Sequence, residues 1–136
     1  MPRYSSITFG VPQQVERFDL VINEILTHPP GEHNSKYIEI YNRSEKIIDL
    51  GTVRIGSGGV EIPEKSVTAV SGGYQLLPGN YAVLCANKEI TRQEYYVPYP
   101  ERLIQCDSLP NYAQANGSVH LTDQGLKPVD RFLYDA

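Results

Sequence analysis

Glu24 and Glu39 lie in two neighbouring stretches of alternating residues, so their carboxylates could sit side by side on one sheet. Paired carboxylates can divide the work of general acid and base, or hold a hard cation through their oxygens. The simpler reading is a solvated sheet face, because charged residues alternate with apolar ones wherever one side of a strand meets water. His28, Glu32 and His33 share one loop, and imidazole with carboxylate is a donor set suited to Zn²⁺. A tetrahedral site needs a further ligand on a fixed backbone, whereas this loop is rich in Pro and Gly and contains no Cys. A plain exposed loop explains it better. His120 falls in a strand-like run and is expected at its surface.

No nucleophile is set up by local sequence. There is no Gly-x-Ser-x-Gly elbow and no phosphate-cradling glycine loop before a helix, and neither cysteine has a His in a catalytic spacing. Ser57-Gly58-Gly59 reads as a hairpin turn. The chain is therefore expected not to be an enzyme and to need no cofactor. The stronger functional lead is aromatic: Tyr95, Tyr96, Tyr99 and Tyr112 bracket the longest irregular region, which Pro98, Pro100 and Pro110 stiffen. Tyrosine is rigid and amphipathic and is enriched at protein interfaces; its flat face also suits sugar rings. The competing reading is a loop packed down by its own aromatic rings.

These side chains must be positioned by strands. Lys36-Tyr-Ile-Glu-Ile-Tyr-Asn-Arg43 alternates strictly, with Ile38 and Ile40 on one side and Tyr37, Glu39 and Tyr41 on the other. A period of two marks a half-buried strand. Asp19–Leu26 is a strand before it, and the loop between them carries Pro29 and Pro30, which forbid helix. Further short strands are predicted over Ile47–Leu50, Thr52–Ile55, Val60–Ile62, Ser66–Val70, Gly117–Thr122 and Leu126–Tyr134. Tyr81–Ala86 is the most apolar run and is expected at the centre of a sheet. Pro78-Gly79 predicts a type II turn, and Gly125 after Asp123 a glycine in the left-handed region. Only Asn87–Glu94 favours helix, with Asn87 as its cap. Short strands at this spacing with almost no helix specify an antiparallel sandwich or barrel.

The 136 residues suffice for one domain with a real core. A net charge of −4 and the lack of any Lys/Arg cluster argue against nucleic acid as partner. No apolar run approaches the roughly 20 residues needed to cross a bilayer, so membrane insertion is not expected. Cys85 and Cys106 could form one disulfide, but the placement of Cys85 in an apolar run favours buried free thiols. Residues 1–18 read as an N-terminal linker or edge-strand extension and residues 19–136 as the sandwich domain. The chain starts in mid-pattern and stops at Leu133-Tyr-Asp-Ala136 just after strand-like residues, so it reads as a piece of a longer polypeptide.

Five motifs in this order, "DLVINEIL", "YIEIYNRSEKIIDL", "LPGNYAVLCAN", "LPNYAQANGSVHLTDQG" and "VDRFLYD", resemble the bacterial lamin tail domain family over about Asp19–Asp135. The resemblance implies an immunoglobulin-like β-sandwich, a non-catalytic binding or anchoring role, and a place within a larger exported or cell-surface protein. The family often carries a Trp on the strand after "DL". This chain has Val53 near that place, so Tyr74 or Tyr81 is expected to fill the core instead. The expected partner is a protein or a cell-surface polymer at the extracellular face or cell envelope. The alternative function is a carbohydrate- or polymer-binding accessory module for an attached hydrolase, and a metal-dependent hydrolase fragment comes third; Glu24 and Glu39 are the metal-ligand alternative. The oligomeric state is left open.

Overall fold

A computed structural model describes residues 10–27, 36–94, 99–106, 108–113 and 115–135 of the chain. Among them run strands β1 (Leu20–Leu26), β2 (Tyr37–Asn42), β3 (Ile48–Asp49), β4 (Val53–Ser57), β5 (Lys65–Thr68), β6 (Gln75–Leu76) and β7 (Tyr81–Cys85). Helix α1 (Lys88–Glu94) follows, and then β8 (Leu103–Gln105), β9 (Gly117–Asp123) and β10 (Pro128–Tyr134). One sheet has the order β1-β2-β7-β8 and the other β10-β9-β4-β5, with β3 and β6 forming a separate two-stranded ladder. The expected antiparallel sandwich is present. The first nine residues of the expected N-terminal linker or edge-strand extension, and the loop that carries His28, Glu32 and His33, lie outside the described residues.

The alternation that predicts β2 also builds the core. Ile38 and Ile40 are fully buried, while Tyr37, Glu39 and Tyr41 between them are partly exposed. Ala82 and Leu84 continue that inner face on β7, which sits between β2 and β8 as its apolar run predicts. Val53, Ile55, Val119 and Leu121 close the core from the second sheet. Val15, ahead of the first strand, is also part of it, and Gln13 donates a backbone hydrogen bond to Ile47 at 2.9 Å.

The aromatic filling differs from the expectation. Val53 is fully buried, but Tyr74 is 39 % exposed and Tyr81 lies on the outer face of its sheet. The ring that enters the core is that of Tyr112, whose hydroxyl donates to the Gly56 carbonyl at 3.3 Å. A buried tyrosine needs such a partner for its one polar atom.

Other departures are local. Leu103–Gln105 pairs parallel to β7, although so short a run shows no readable period. Val60–Ile62 is not a strand. It belongs to the β4–β5 connection, where Gly58 and Gly59 take positive φ, and this loop folds back over the outer face of the second sheet. There the Gly59 carbonyl accepts from Ser118 Oγ at 2.8 Å and lies 3.2 Å from His120 Nε2, while Arg131 Nη1 donates to the Val60 carbonyl at 2.6 Å. The cover explains why His120, expected at the surface, is buried.

Gly79 adopts φ 76°, as the Pro78-Gly79 turn requires. Gly125 does not take the left-handed conformation; Leu126 does, at φ 67°. Asp123 Oδ1 accepts from the backbone N–H groups of Gly125 at 2.8 Å and Lys127 at 2.9 Å, and this bracing places the positive φ one residue later.

Candidate functional site

The outer face of the β1-β2-β7-β8 sheet gathers the exposed aromatic side chains of greatest interest. Tyr41 on β2 stands opposite Tyr81 on β7, and their ring centres are 4.7 Å apart at an interplanar angle of 37°. Directly opposed residues in an antiparallel pair share a face, so this contact follows from the register. Tyr99 caps a 3₁₀ turn over Pro100–Arg102, with the Arg102 N–H bonded to the Tyr99 carbonyl at 3.0 Å. In a 3₁₀ turn, side chains three apart eclipse one another. The Arg102 guanidinium therefore lies over the Tyr99 ring, 4.0 Å from its centre, and its carbon is also 5.0 Å from the centre of Tyr81. The result is a column: Tyr41, Tyr81, Arg102, Tyr99. Tyr99 is 50 % exposed at its outer end.

The four tyrosines expected to bind thus divide. Tyr99 is at the surface in this column. Tyr112 is only 8 % exposed and its role is core packing, because its ring lies between the sheets; it cannot contribute its ring to an exposed binding face. Tyr95 and Tyr96 lie outside the described residues. Tyr41, Tyr81 and Arg102 were not legible as one group, since a cross-strand pair and a turn further along the chain share no sequence period.

Glu24 and Glu39 do meet: they are paired in the β1–β2 ladder, beside a register irregularity in β1. Each carboxylate has a neutral donor, Glu24 from the Tyr37 hydroxyl at 2.6 Å and Glu39 from Asn23 Nδ2 at 2.8 Å. Among the described residues no group of three or more His, Cys, Asp or Glu side chains could hold a metal ion. Glu24 is exposed and Glu39 partly exposed, so water reaches the pair. His28, Glu32 and His33 lie outside the described residues.

A buried charge escaped the sequence reading. Lys36, just before β2, is buried, and its Nζ donates to the Pro110 carbonyl at 3.1 Å and Asn111 Oδ1 at 3.0 Å. Burial, which disfavours the charged form, lowers its pKa. At the border of an alternating strand a lysine reads as solvated, so nothing in the sequence marks it. Cys85 and Cys106 are both buried and free, as expected. The Cys106 N–H bonds to the Cys85 carbonyl at 2.8 Å, yet Cys106 belongs to the core while Cys85 follows the outward register of Tyr81 and Val83. Burial pushes the Cys85 thiol up to about 11. A raised thiol pKa opposes the thiolate that a nucleophile needs.

A groove of about 620 Å³ runs between the β4–β5 loop and the Asn111–Ser118 and Leu133–Asp135 segments. The acidic and basic residues that line it, Glu64, Lys65 and Asp135, are all exposed, so it offers no desolvated acid or base. No helix among the described residues is long and apolar enough to cross a membrane.

A sequence model of the Lamin Tail Domain family matches residues 13–135. No curated protein matches the chain. Lamin tail domains are non-enzymatic, immunoglobulin-like domains that typically serve as protein-interaction modules. With the match spanning the β-sandwich from Gln13 to Asp135, the chain belongs to the Lamin Tail Domain family.

Proposed function

We propose that this domain is a non-catalytic protein-binding module that engages its partner through the column of Tyr41, Tyr81, Arg102 and Tyr99, as part of a larger exported or cell-envelope protein. The column itself carries the reading. Its rings are held by a β-ladder and a proline-containing 3₁₀ turn, so little conformational entropy is lost when a partner docks. Tyr and Arg are also the residue types that dominate binding energy at interfaces. The sheet beneath supplies a rigid support. A carbohydrate platform draws on the same rings, but Tyr81 already has Tyr41 against it and Arg102 over its ring, which leaves it poorly disposed to stack on a sugar.

The test is capture of a protein from lysate by the immobilised domain, followed by affinity measurement on the identified partner. Tyr99→Ser should raise Kd at least about tenfold, the equivalent of about 1.4 kcal/mol, with an unchanged melting temperature. Unaltered binding by Tyr99→Ser, combined with loss on chelation or in Glu39→Gln, would move the site to the carboxylate pair. Retention on a polysaccharide column that depends on Tyr99 would favour the accessory-module reading.

A further inference from the structure

Arg102, which is partly exposed, has its guanidinium held against two rings. It makes no salt bridge and no side-chain hydrogen bond among the described residues; its contacts are the rings of Tyr99 and Tyr81. A guanidinium carries five N–H donors in its plane, arranged to match a carboxylate in a bidentate pair. Stacking on aromatic rings fixes the plane and leaves that edge open.

The same sheet face carries the opposite charge nearby. Glu39 is in register with Val83, and Val83 with Leu103, the residue after Arg102. Two strand spacings put Glu39 about 10 Å across the sheet from the backbone next to Arg102. Glu24 stands beside Glu39, so two carboxylates share a sheet face with one guanidinium, with Val83 in register between Glu39 and Leu103 and the Tyr41–Tyr81 pair one row along.

From this juxtaposition we infer that the face recognises an extended protein segment of mixed charge, with an acidic side chain on Arg102 and a basic one over Glu24 and Glu39. The inference rests on the protein-binding reading and names the chemistry of its partner. In an extended segment, residues two or four apart share a face and are separated by about 7 or 13 Å, which brackets the gap. Charge complementarity favours this occupant over a polyanion. A nucleic acid or acidic polysaccharide that reached Arg102 would also meet Glu24 and Glu39 and be repelled there. The net charge of −4 acts in the same direction.

The experiment uses fluorescence anisotropy with synthetic peptides that carry one Glu and one Lys, two or four positions apart, in a Ser/Tyr/Val background. Control peptides replace the Glu or the Lys by Gln, and poly-glutamate serves as the polyanion. The mixed peptide should bind the wild-type domain at least about fivefold more tightly than either control, and salt should weaken it, as expected for exposed charges. Arg102→Gln should erase the preference for Glu and keep the preference for Lys. Glu24→Gln/Glu39→Gln should do the reverse, and Arg102→Lys should fall between, since it keeps the charge and loses the fork. Melting temperatures establish that each variant is folded.

The inference is overturned if no peptide binds, if wild type and variants bind the peptides alike, or if poly-glutamate binds more tightly than the mixed peptide. Protein capture separates the two levels of the argument. If Tyr99→Ser loses a captured protein while Arg102→Gln keeps it, mixed-charge recognition fails and the binding face stands; if both variants keep it, both readings fall.

Discussion

The Asp130 carboxylate accepts a hydrogen bond from the Ile22 backbone N–H at 2.8 Å across 108 residues of sequence. Ile22 lies on the edge strand of one sheet and Asp130 on the edge strand of the other, each beside a register irregularity in its ladder. The bond closes one corner of the sandwich and satisfies an edge N–H that would otherwise remain a template for another strand. Asp130→Ala should lower unfolding stability by about 1–3 kcal/mol, the range for losing a partly buried bond to a charged acceptor. Urea titration should show a lower midpoint at an unchanged slope. An unmoved midpoint would mean that water replaces the carboxylate without loss.

Leu126 and Gly125 give a prediction opposite to the one the sequence suggests. Leu126 holds φ 67° and is 38 % exposed, so its backbone is strained and its side chain adds little burial. Leu126→Gly should relieve about 1–2 kcal/mol of left-handed strain, less about 0.5–1 kcal/mol for the added freedom of the unfolded chain. A rise in melting temperature is expected. Gly125→Ala should be close to neutral, because an added Cβ would meet only Asp123 Oδ1 at 3.5 Å, an ordinary contact. A large loss in Gly125→Ala would show that the turn is set by Gly125 after all.

The sheets were readable because a strand of period two records its own burial: Ile38, Ile40, Ala82 and Leu84 need no tertiary information to be placed inside. The helix cap was readable for a similarly local reason, with Asn87 Oδ1 accepting from the Ile90 N–H at 3.1 Å. What failed was non-local. His120 and Ser118 sit on the outward side of β9 and look solvated until the Gly58–Glu64 loop is laid over them. Tyr112 looks like a rim residue until the chain around Gly56 supplies its hydrogen-bond acceptor. Glu24 and Glu39 were correctly read as neighbours, since adjacent strands bring them together. The Tyr41–Tyr81–Arg102–Tyr99 column could not be assembled without the register of three strands.

Packing and binding roles of the tyrosines separate by stability. Tyr112→Ser should cost about 3–5 kcal/mol, as for truncation of a buried aromatic ring. Tyr112→Phe should cost about 0.5–1.5 kcal/mol, since it loses only the long bond to the Gly56 carbonyl. Tyr99→Ser should change stability by less than about 0.5 kcal/mol, the usual range for a surface substitution. Thermal or urea unfolding of the three variants checks this ordering. Equal losses in Tyr99→Ser and Tyr112→Ser would make Tyr99 a packing residue and remove it from the binding face.

Cys85 should give the domain a recognisable alkaline transition. Its thiol is raised from the ordinary value of 9.0 to about 11 by burial. The folded state then retains a proton that the unfolded state has already released between these two values. Stability from this group is fully present below pH 9 and is lost as pH rises through about 11. The slope in that window is at most about 1.4 kcal/mol per pH unit. Tyr112, also raised by burial, adds a loss in the same direction above its ordinary 10.0. Lys36 acts the other way: its lowered pKa makes stability rise with pH up to its ordinary 10.5. Lys46, held protonated by its hydrogen bonds to Asp19 and Glu16, adds a loss above its ordinary 10.5. A single alkaline titration therefore mixes several groups, and the measurement that isolates one is a difference. The stability of wild type minus that of Cys85→Ala, followed by urea unfolding under reducing conditions, should be flat below pH 9 and fall between pH 9 and about 11. Parallel curves across that window would mean that the Cys85 thiol titrates as if in water and is not buried.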